Sequence, residues 1–471
     1  MPGPVCNGSG CGGPEQLDCT DARSGSYRPG INRGIRRISR LLLLSLAALG
    51  GIYSVDAARA QTLSGRFVTT FYSYQQYDTT GASKLSLRGF EALQLNFGQG
   101  NYQLHTYLLG TTDFITSQPG DPRLRAGNLY IEGRNIGDFL TLKLGRQPTF
   151  QRVGVSSFDG LSADAKFLDN KITVSAFGGA LPPTDENFNL NSSPKDNLLY
   201  GAQAYYSPFD NFRVGGAYVD RNFKPDSYWA VRRDTLNAPD DSRLVYIDPT
   251  SVASEFVSGD MFYYNQQVSG YLRLDYDLNF DEFNRTEASF RYSPTISVSA
   301  NVEYFHRDSR LPFNSIFSVF DHSGTDEYDA GLTYMFTRDM SAFGSISKIF
   351  YAGDNSTQFT IGTNIYLFSL NFSHNDGFAG QLNGLSAQLI YPLLDRKVML
   401  IGSASATDYK ILQSLSSTNR LYTGELGISY RPFNLLSLDV QGQYLQDPVY
   451  KNDFRGYLRA NYYFFDNLGA R

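Results

Sequence analysis

The chain predicts an all-β fold, a transmembrane antiparallel up-and-down β-barrel of about 22 strands (range about 18–24) with no plug domain. Three observations carry this. Segments alternate between an apolar and a polar face, short turn signals alternate with long connections, and 14% of the residues are aromatic while mean hydropathy is −0.31. A barrel escapes a hydropathy scan because half of every strand is polar.

Alternation is clearest near the C-terminus. Leu436, Leu438, Val440, Gly442 and Tyr444 fall on one parity; Ser437, Asp439, Gln441 and Gln443 fall on the other. Tyr422, Leu426, Ile428 and Tyr430 oppose Thr423, Glu425 and Ser429, and Phe454, Leu458, Ala460, Tyr462 and Phe464 oppose Arg455, Arg459 and Asn461. A period of two puts successive side chains on opposite faces of a sheet. A soluble sandwich would bury the apolar face in a core, whereas a membrane barrel turns it to lipid and keeps water or polar side chains inside.

The first sixty residues differ from the rest. Arg33, Arg36, Arg37 and Arg40 precede an apolar run from Leu41 to about Tyr53, and Ala58-Arg59-Ala60 supplies small residues at the two positions a signal peptidase reads. The run is too short to span a bilayer as a helix. Residues 1–60 are therefore expected to be a leader with a signal peptide, cleaved near Ala60, and 61–471 a single barrel domain. The Gly-rich stretch before about Ile31, with Cys6, Cys11 and Cys19, reads as an over-extended start or a long leader. A mature chain from Gln61 holds no cysteine, which excludes thiol chemistry, disulfides and thiolate metal sites. The formal charge of the whole chain is −5, and the expected mature part is more acidic still. That argues against nucleic acid as a partner, which needs a basic face.

Strands are expected at about 63–77, 84–97, 101–114, 125–133, 138–147, 158–168, 171–180, 198–208, 211–221, 254–263 and 267–278. They continue at about 283–293, 295–308, 325–337, 341–352, 356–365, 368–376, 380–391, 396–408, 419–430, 434–446 and 453–464. Asp169-Asn170, Asp210-Asn211, Ser293-Pro294, Arg338-Asp339, Asp395-Arg396 and Pro432-Phe433-Asn434 supply the tight turns of one rim. Connections of the opposite rim are longer, at about 181–197, 222–253, 309–324 and 409–418. Roughly 19 residues per strand and connection leave no segment for a plug, since a tilted spanning strand uses about 9–11 of them. Strand spacing and tilt imply a backbone cylinder roughly 40–45 Å across. A hole that wide calls for inward loops, a partner in the lumen, or fewer strands.

The inward parity is mixed in sign: Arg273, Asp275 and Asp277, then Arg285, Glu287 and Arg291, then Glu303 and Arg307, then Glu327 and Asp329, and finally Glu425, Asp439, Arg455 and Arg459. Interspersed signs would pair between strands and coat a water-filled passage without a strong ionic preference. They are read first as the solubilising layer of the lumen, with the Arg-rich stretch Arg273, Arg285, Arg291 and Arg307 as the alternative selectivity element.

Leu144-Gly145-Arg146-Gln147, followed by Phe158-Asp159-Gly160-Leu161, resembles alginate-export-type and related porin-like outer-membrane barrels over about residues 138–180. The resemblance implies a barrel with a polar lumen and passage of a hydrophilic solute or polymer. The chain departs from the pattern in having no one-signed basic lumen. On physical grounds Gly145 and Gly160 permit a bulge or bend near the rim, and Arg146 can pair with Asp159 and pin it. The loop at 309–324 holds Phe313, Phe317 and Phe320 in an apolar run, which can fold inward, cap the mouth or meet a partner. Loop 222–253 carries Trp229, Arg232, Arg233 and several Asp, best read as solvated acids.

His105, His306, His322 and His374 are scattered, and no nucleophile-base pairing, phosphate-cradling loop or metal-ligand spacing stands out. No enzyme, cofactor or metal site is expected. Two functions fit. One is an outer-membrane channel, in a Gram-negative-type bacterium, for hydrophilic solutes or polymer export. The other is a barrel sheath around a partner such as a multihaem cytochrome or an export lipoprotein. Expected partners are outer-membrane lipid, the solute or polymer, and the barrel-assembly machinery. Tyr462 to Phe465 near the end resemble an assembly signal of that machinery.

Overall fold

A computed structural model describes residues 61–77, 83–115, 121–151, 154–234, 238–308, 323–378, 380–411, 417–448 and 452–467. The expected leader, and Phe313, Phe317, Phe320 and His322, lie outside the described residues. In chain order the strands are β1 (Gln61–Tyr77), β2 (Ser83–Gln99), β3 (Tyr102–Asp113), β4 (Arg123–Ile136), β5 (Leu140–Gln151), β6 (Gly154–Phe167), β7 (Ile172–Ala180) and β8 (Leu198–Phe209). Then come β9 (Phe212–Phe223), β10 (Tyr228–Asp234), β11 (Ala238–Ile247), β12 (Val252–Tyr264), β13 (Val268–Asp277), β14 (Glu282–Thr295), β15 (Val298–Arg307) and β16 (Thr325–Thr337). The wall is completed by β17 (Met340–Tyr351), β18 (Asp354–Ile365), β19 (Phe368–Gly377), β20 (Gly380–Leu393), β21 (Val398–Lys410), β22 (Asn419–Phe433), β23 (Leu436–Gln446) and β24 (Asp453–Asn467).

Each wall strand pairs antiparallel with its neighbours in a 22-stranded sheet. The sheet closes where β1 meets β24, from Thr62↔Asn467 to Ser73↔Gly456. Closure removes the exposed edges that an open sheet of this size would present. The expected strand at 254–263 is β12, which pairs directly with β9 from Val252↔Phe223 to Tyr263↔Phe212. β10 and β11 form a separate two-stranded hairpin within that connection, where the sequence reading expected loop alone. Its base is tied by Ser227 and Lys224, which both bond Asp248 and hold that carboxyl below the ordinary aspartate range. A second difference concerns β14. It runs on through Pro294 to Thr295, with a register shift between Tyr292 and Thr295, so the turn falls at 296–297. Proline lacks only one donor, and a bulge at a strand end tolerates that.

The faces are inverted relative to a soluble domain. Leu426 is 76% exposed, and Val302, Leu332, Ile346, Leu385, Val440 and Leu458 are exposed with it. Ser86, Asp260, Arg273, Asp275, Asp277 and Asn461 are buried. An apolar exterior over a polar interior is the distribution that lipid solvation selects. Aromatic pairs such as Tyr304–Tyr328 and Tyr462–Phe464 stand at opposite strand ends, as interfacial girdles require. One acid, Glu91, lies on the outward row at mid-strand, and Thr69 donates to it at 2.8 Å.

Candidate functional site in the lumen

Paired residues share a face, so register maps the inner wall. Asp439 pairs with Arg459, Arg459 with Thr70, Thr70 with Phe90, Phe90 with Thr111 and Thr111 with Arg123. The next row runs Asn461, Val68, Ala92, Leu109 and Arg125. On the same face Tyr72 pairs with Arg88, and Arg88 with Asp113. Arg66, which donates to Asn461 at 2.7 Å, and Arg455 complete one arginine arc on β24, β1, β2 and β4. Arg88, Thr111, Asp113, Asp121, Arg123 and Arg125 line a cavity of about 350 Å³ in it. Two of these charges are matched, Arg88 at 3.5 Å from Asp113 and Arg455 at 2.8 Å from Asp453, while Arg459 donates to the neutral Asn461 at 3.1 Å. Arg125 has no hydrogen-bond or ion-pair partner among the described residues.

The arc β13–β15 behaves differently. Arg273 and Asp275 form a buried pair at 2.8 Å, and Arg285 meets Glu287 at 2.6 Å. Arg285 and Arg307 both lie against the ring of Phe305. Arg291 pairs in register with Ser269 and Asn301, and Asn301 donates to Glu303 at 3.3 Å. Arg273 and Arg285 are compensated side by side, which stiffens the wall at β13 and β14. From β16 to β21 the lumen face carries Glu327 and Asp329, then Ser, Thr, Asn and Gln, as at Ser347, Gln358, Asn375, Ser386 and Ser405. The basic residues of these strands, Lys348 and Lys410, have the outward parity. Glu425 accepts from Gln441, and Asp439 accepts from Asn461 at 3.3 Å.

Acids and arginines therefore share both arcs, and six arginines gather on β24, β1, β2 and β4. The sequence reading named Arg455 and Arg459 but passed over Arg66, Arg88, Arg123 and Arg125. Parity within β1, β2 and β4 was the available signal. Their assembly into one arc depends on closure of β1 onto β24, which no local pattern contains.

Arg146 and Asp159 are brought together in a two-pronged pair at 2.7 and 2.9 Å, both largely buried. Gly145 beside them has φ +124, and a Cβ there would lie 2.4 Å from the Leu129 carbonyl oxygen. Gly145→Ala is expected to cost about 1–3 kcal/mol, the usual range for a strained backbone site. Gly442→Ala, where an added Cβ meets nothing within 4 Å, is the control and should change stability little. Urea unfolding of the heat-modifiable band on gels measures both.

The three described histidines, His105, His306 and His374, have separate partners. His105 bonds Asn96 and Glu132, His306 bonds Asp326 on the outward parity, and His374 bonds Asn383. Among the described residues no group of three or more His, Cys, Asp or Glu is placed to hold a metal ion.

No family model matches the chain, and no curated protein matches it. Solved structures similar in architecture include the translocation pore of the P pilus usher PapC, with TM-score 0.47, 10% identity, and 85% of this chain and 99% of that chain covered. OpdQ of Pseudomonas aeruginosa aligns with TM-score 0.40, 11% identity and coverage of 86% and 98%. OccAB1 of Acinetobacter baumannii aligns with TM-score 0.40, 10% identity and coverage of 86% and 97%. At such identities the likeness extends to the fold alone.

Proposed function

We propose that the protein is a porin-like channel in the outer membrane of a Gram-negative-type bacterium, passing hydrophilic solutes with a preference for anions. One observation carries this reading: a closed barrel, apolar outside, whose polar inner wall gathers Arg66, Arg88, Arg123, Arg125, Arg455 and Arg459 on one arc. Fixed charges on a low-dielectric wall raise the local concentration of counter-ions along the passage. The resemblance of residues 138–180 to alginate-export-type porins points the same way, toward a hydrophilic solute or polymer. A sheath around another protein is the less favoured reading, because the chain's own residues Pro148, Thr149 and Phe158 already lie against the lumen side of β7 and β8.

The test is reconstitution of the purified barrel in planar bilayers under a KCl gradient. Discrete conductance steps and a reversal potential of the anion-preferring sign are expected. Absence of steps would overturn the channel, a cation-preferring sign would overturn the role of the arginine arc, and a very large unselective conductance would favour the sheath.

A further inference from the structure

The Gly145–Arg146 and Asp159–Gly160 motif sits where the wall divides. β5 pairs with β6 along its whole length, from Leu140↔Ala165 to Gln151↔Gly154. It pairs with β4 only as far as Arg146↔Leu129, although β4 continues to Arg123 on β3. β6 likewise pairs with β7 only from Asp159 onward. Segments 147–151 and 154–158 are thus laddered to each other alone, as an arm that leaves the wall at the facing pair Gly145 and Gly160. No Cβ fits at either position: at Gly160 it would meet the Gly178 carbonyl oxygen at 2.1 Å. The arm leans to the lumen side. Phe158 is buried on Phe177, Leu199 and Val219, which have the inward parity. The β4 edge that the arm leaves is taken by the β7–β8 loop, where the Ala126 amide donates to the Glu186 carbonyl at 2.9 Å. Arg146 fastens this strap, donating to the carbonyls of Glu186, Asn187 and Asn189 while it holds Asp159.

We propose that the arm and the strap compete for this single β4 edge, and that Arg146 is the positioning residue that decides between them. With Arg146 on the strap carbonyls, the arm stays over the lumen and narrows it. With the strap released, the arm zips onto β4 by continuing the Leu129↔Arg146 register to Asn128↔Gln147 and beyond, and the passage widens. Either occupant offers backbone partners to the β4 edge, the condition for a two-state element, and because Pro148 has no N–H to give, the zipped arrangement is the minor one. The effect on conductance rests on the channel reading above; the rearrangement itself does not.

Two cysteine pairs test it in the full chain with Cys6, Cys11 and Cys19 changed to Ser. Asn128→Cys with Gln147→Cys can bridge only when the arm is in the wall. Oxidation in outer-membrane fragments is expected to form this bridge slowly, and faster when Arg146→Lys is added. Lysine keeps the charge facing Asp159 but lacks the fork that reaches several carbonyls. A rate increase of roughly tenfold corresponds to losing one charge-assisted hydrogen bond. Ala126→Cys with Glu186→Cys pins the strap and is expected to hold reconstituted channels at their lowest conductance level until a reductant is added. It also serves as the independent test if Arg146→Lys fails to fold. No Asn128–Gln147 bridge under any condition, or identical conductance with the strap pinned and free, would overturn the proposal. Silence of every reconstituted variant, with the bridge still forming, would instead overturn the channel reading.

Discussion

Replacing Arg123 and Arg125 by glutamate is expected to reverse the proposed anion preference to a cation preference. The double substitution changes the wall charge by four units. At about 8 Å in water one unit charge contributes about 0.5 kcal/mol, and screening at 0.15 M salt leaves roughly 0.4 of that. Four units then shift the local free energy of a monovalent ion by about 0.8 kcal/mol, roughly fourfold in occupancy, and in opposite directions for anions and cations. The reversal potential should change sign at 0.15 M KCl and approach zero at 1 M, where the screening length is about 3 Å. Arg123→Lys with Arg125→Lys keeps the charge and should keep the wild-type sign. If the glutamate variant retains the wild-type reversal potential, the ion path does not run along this arc. The same substitutions at Arg273 and Arg285 should do less to selectivity and more to folding, because Asp275 and Glu287 already compensate them.

How far these features are readable from residue order depends on whether their cause is local. Alternation is local: each residue of β22 or β23 faces the exterior or the lumen according to parity, so Leu426 and Glu425 declare their faces without a partner. The turns at Asp169-Asn170 and Asp395-Arg396 are local too, since φ is positive at all four positions. Asp and Asn tolerate that conformation better than most residues. The hairpin of β10 and β11 escaped because it stands outside the wall, where no lipid imposes a strict alternation on Tyr228–Asp234. The bend at Gly145 and Gly160 was visible as a pair of glycines, and Arg146 with Asp159 as a possible latch. The strap was not visible, because the carbonyls that hold Arg146 come from residues about forty positions later. The arginine arc is less local still. It needs every register from β23 to β4, and one slipped pairing would have sent Arg123 to the lipid side.

Leu426→Arg is expected to be the most damaging single change on the outer wall. Leu426 sits at the middle of β22 on the outward parity, fully clear of any core, and in a water-soluble protein an arginine at a position 76% exposed would be nearly neutral. Facing hydrocarbon near the bilayer midplane, the same arginine should cost about 2–4 kcal/mol, easing only where the long side chain reaches an interface. Glu425→Arg, one residue earlier, changes charge by two units yet faces water, and should fold with altered selectivity instead. The pair separates the two environments within adjacent residues of one strand. Folding titrations of both variants into lipid vesicles, read by the heat-modifiable gel shift, measure the difference. Equal folding of Leu426→Arg and wild type would mean that lipid does not contact this face, and the inside-out assignment of the whole wall would fail with it.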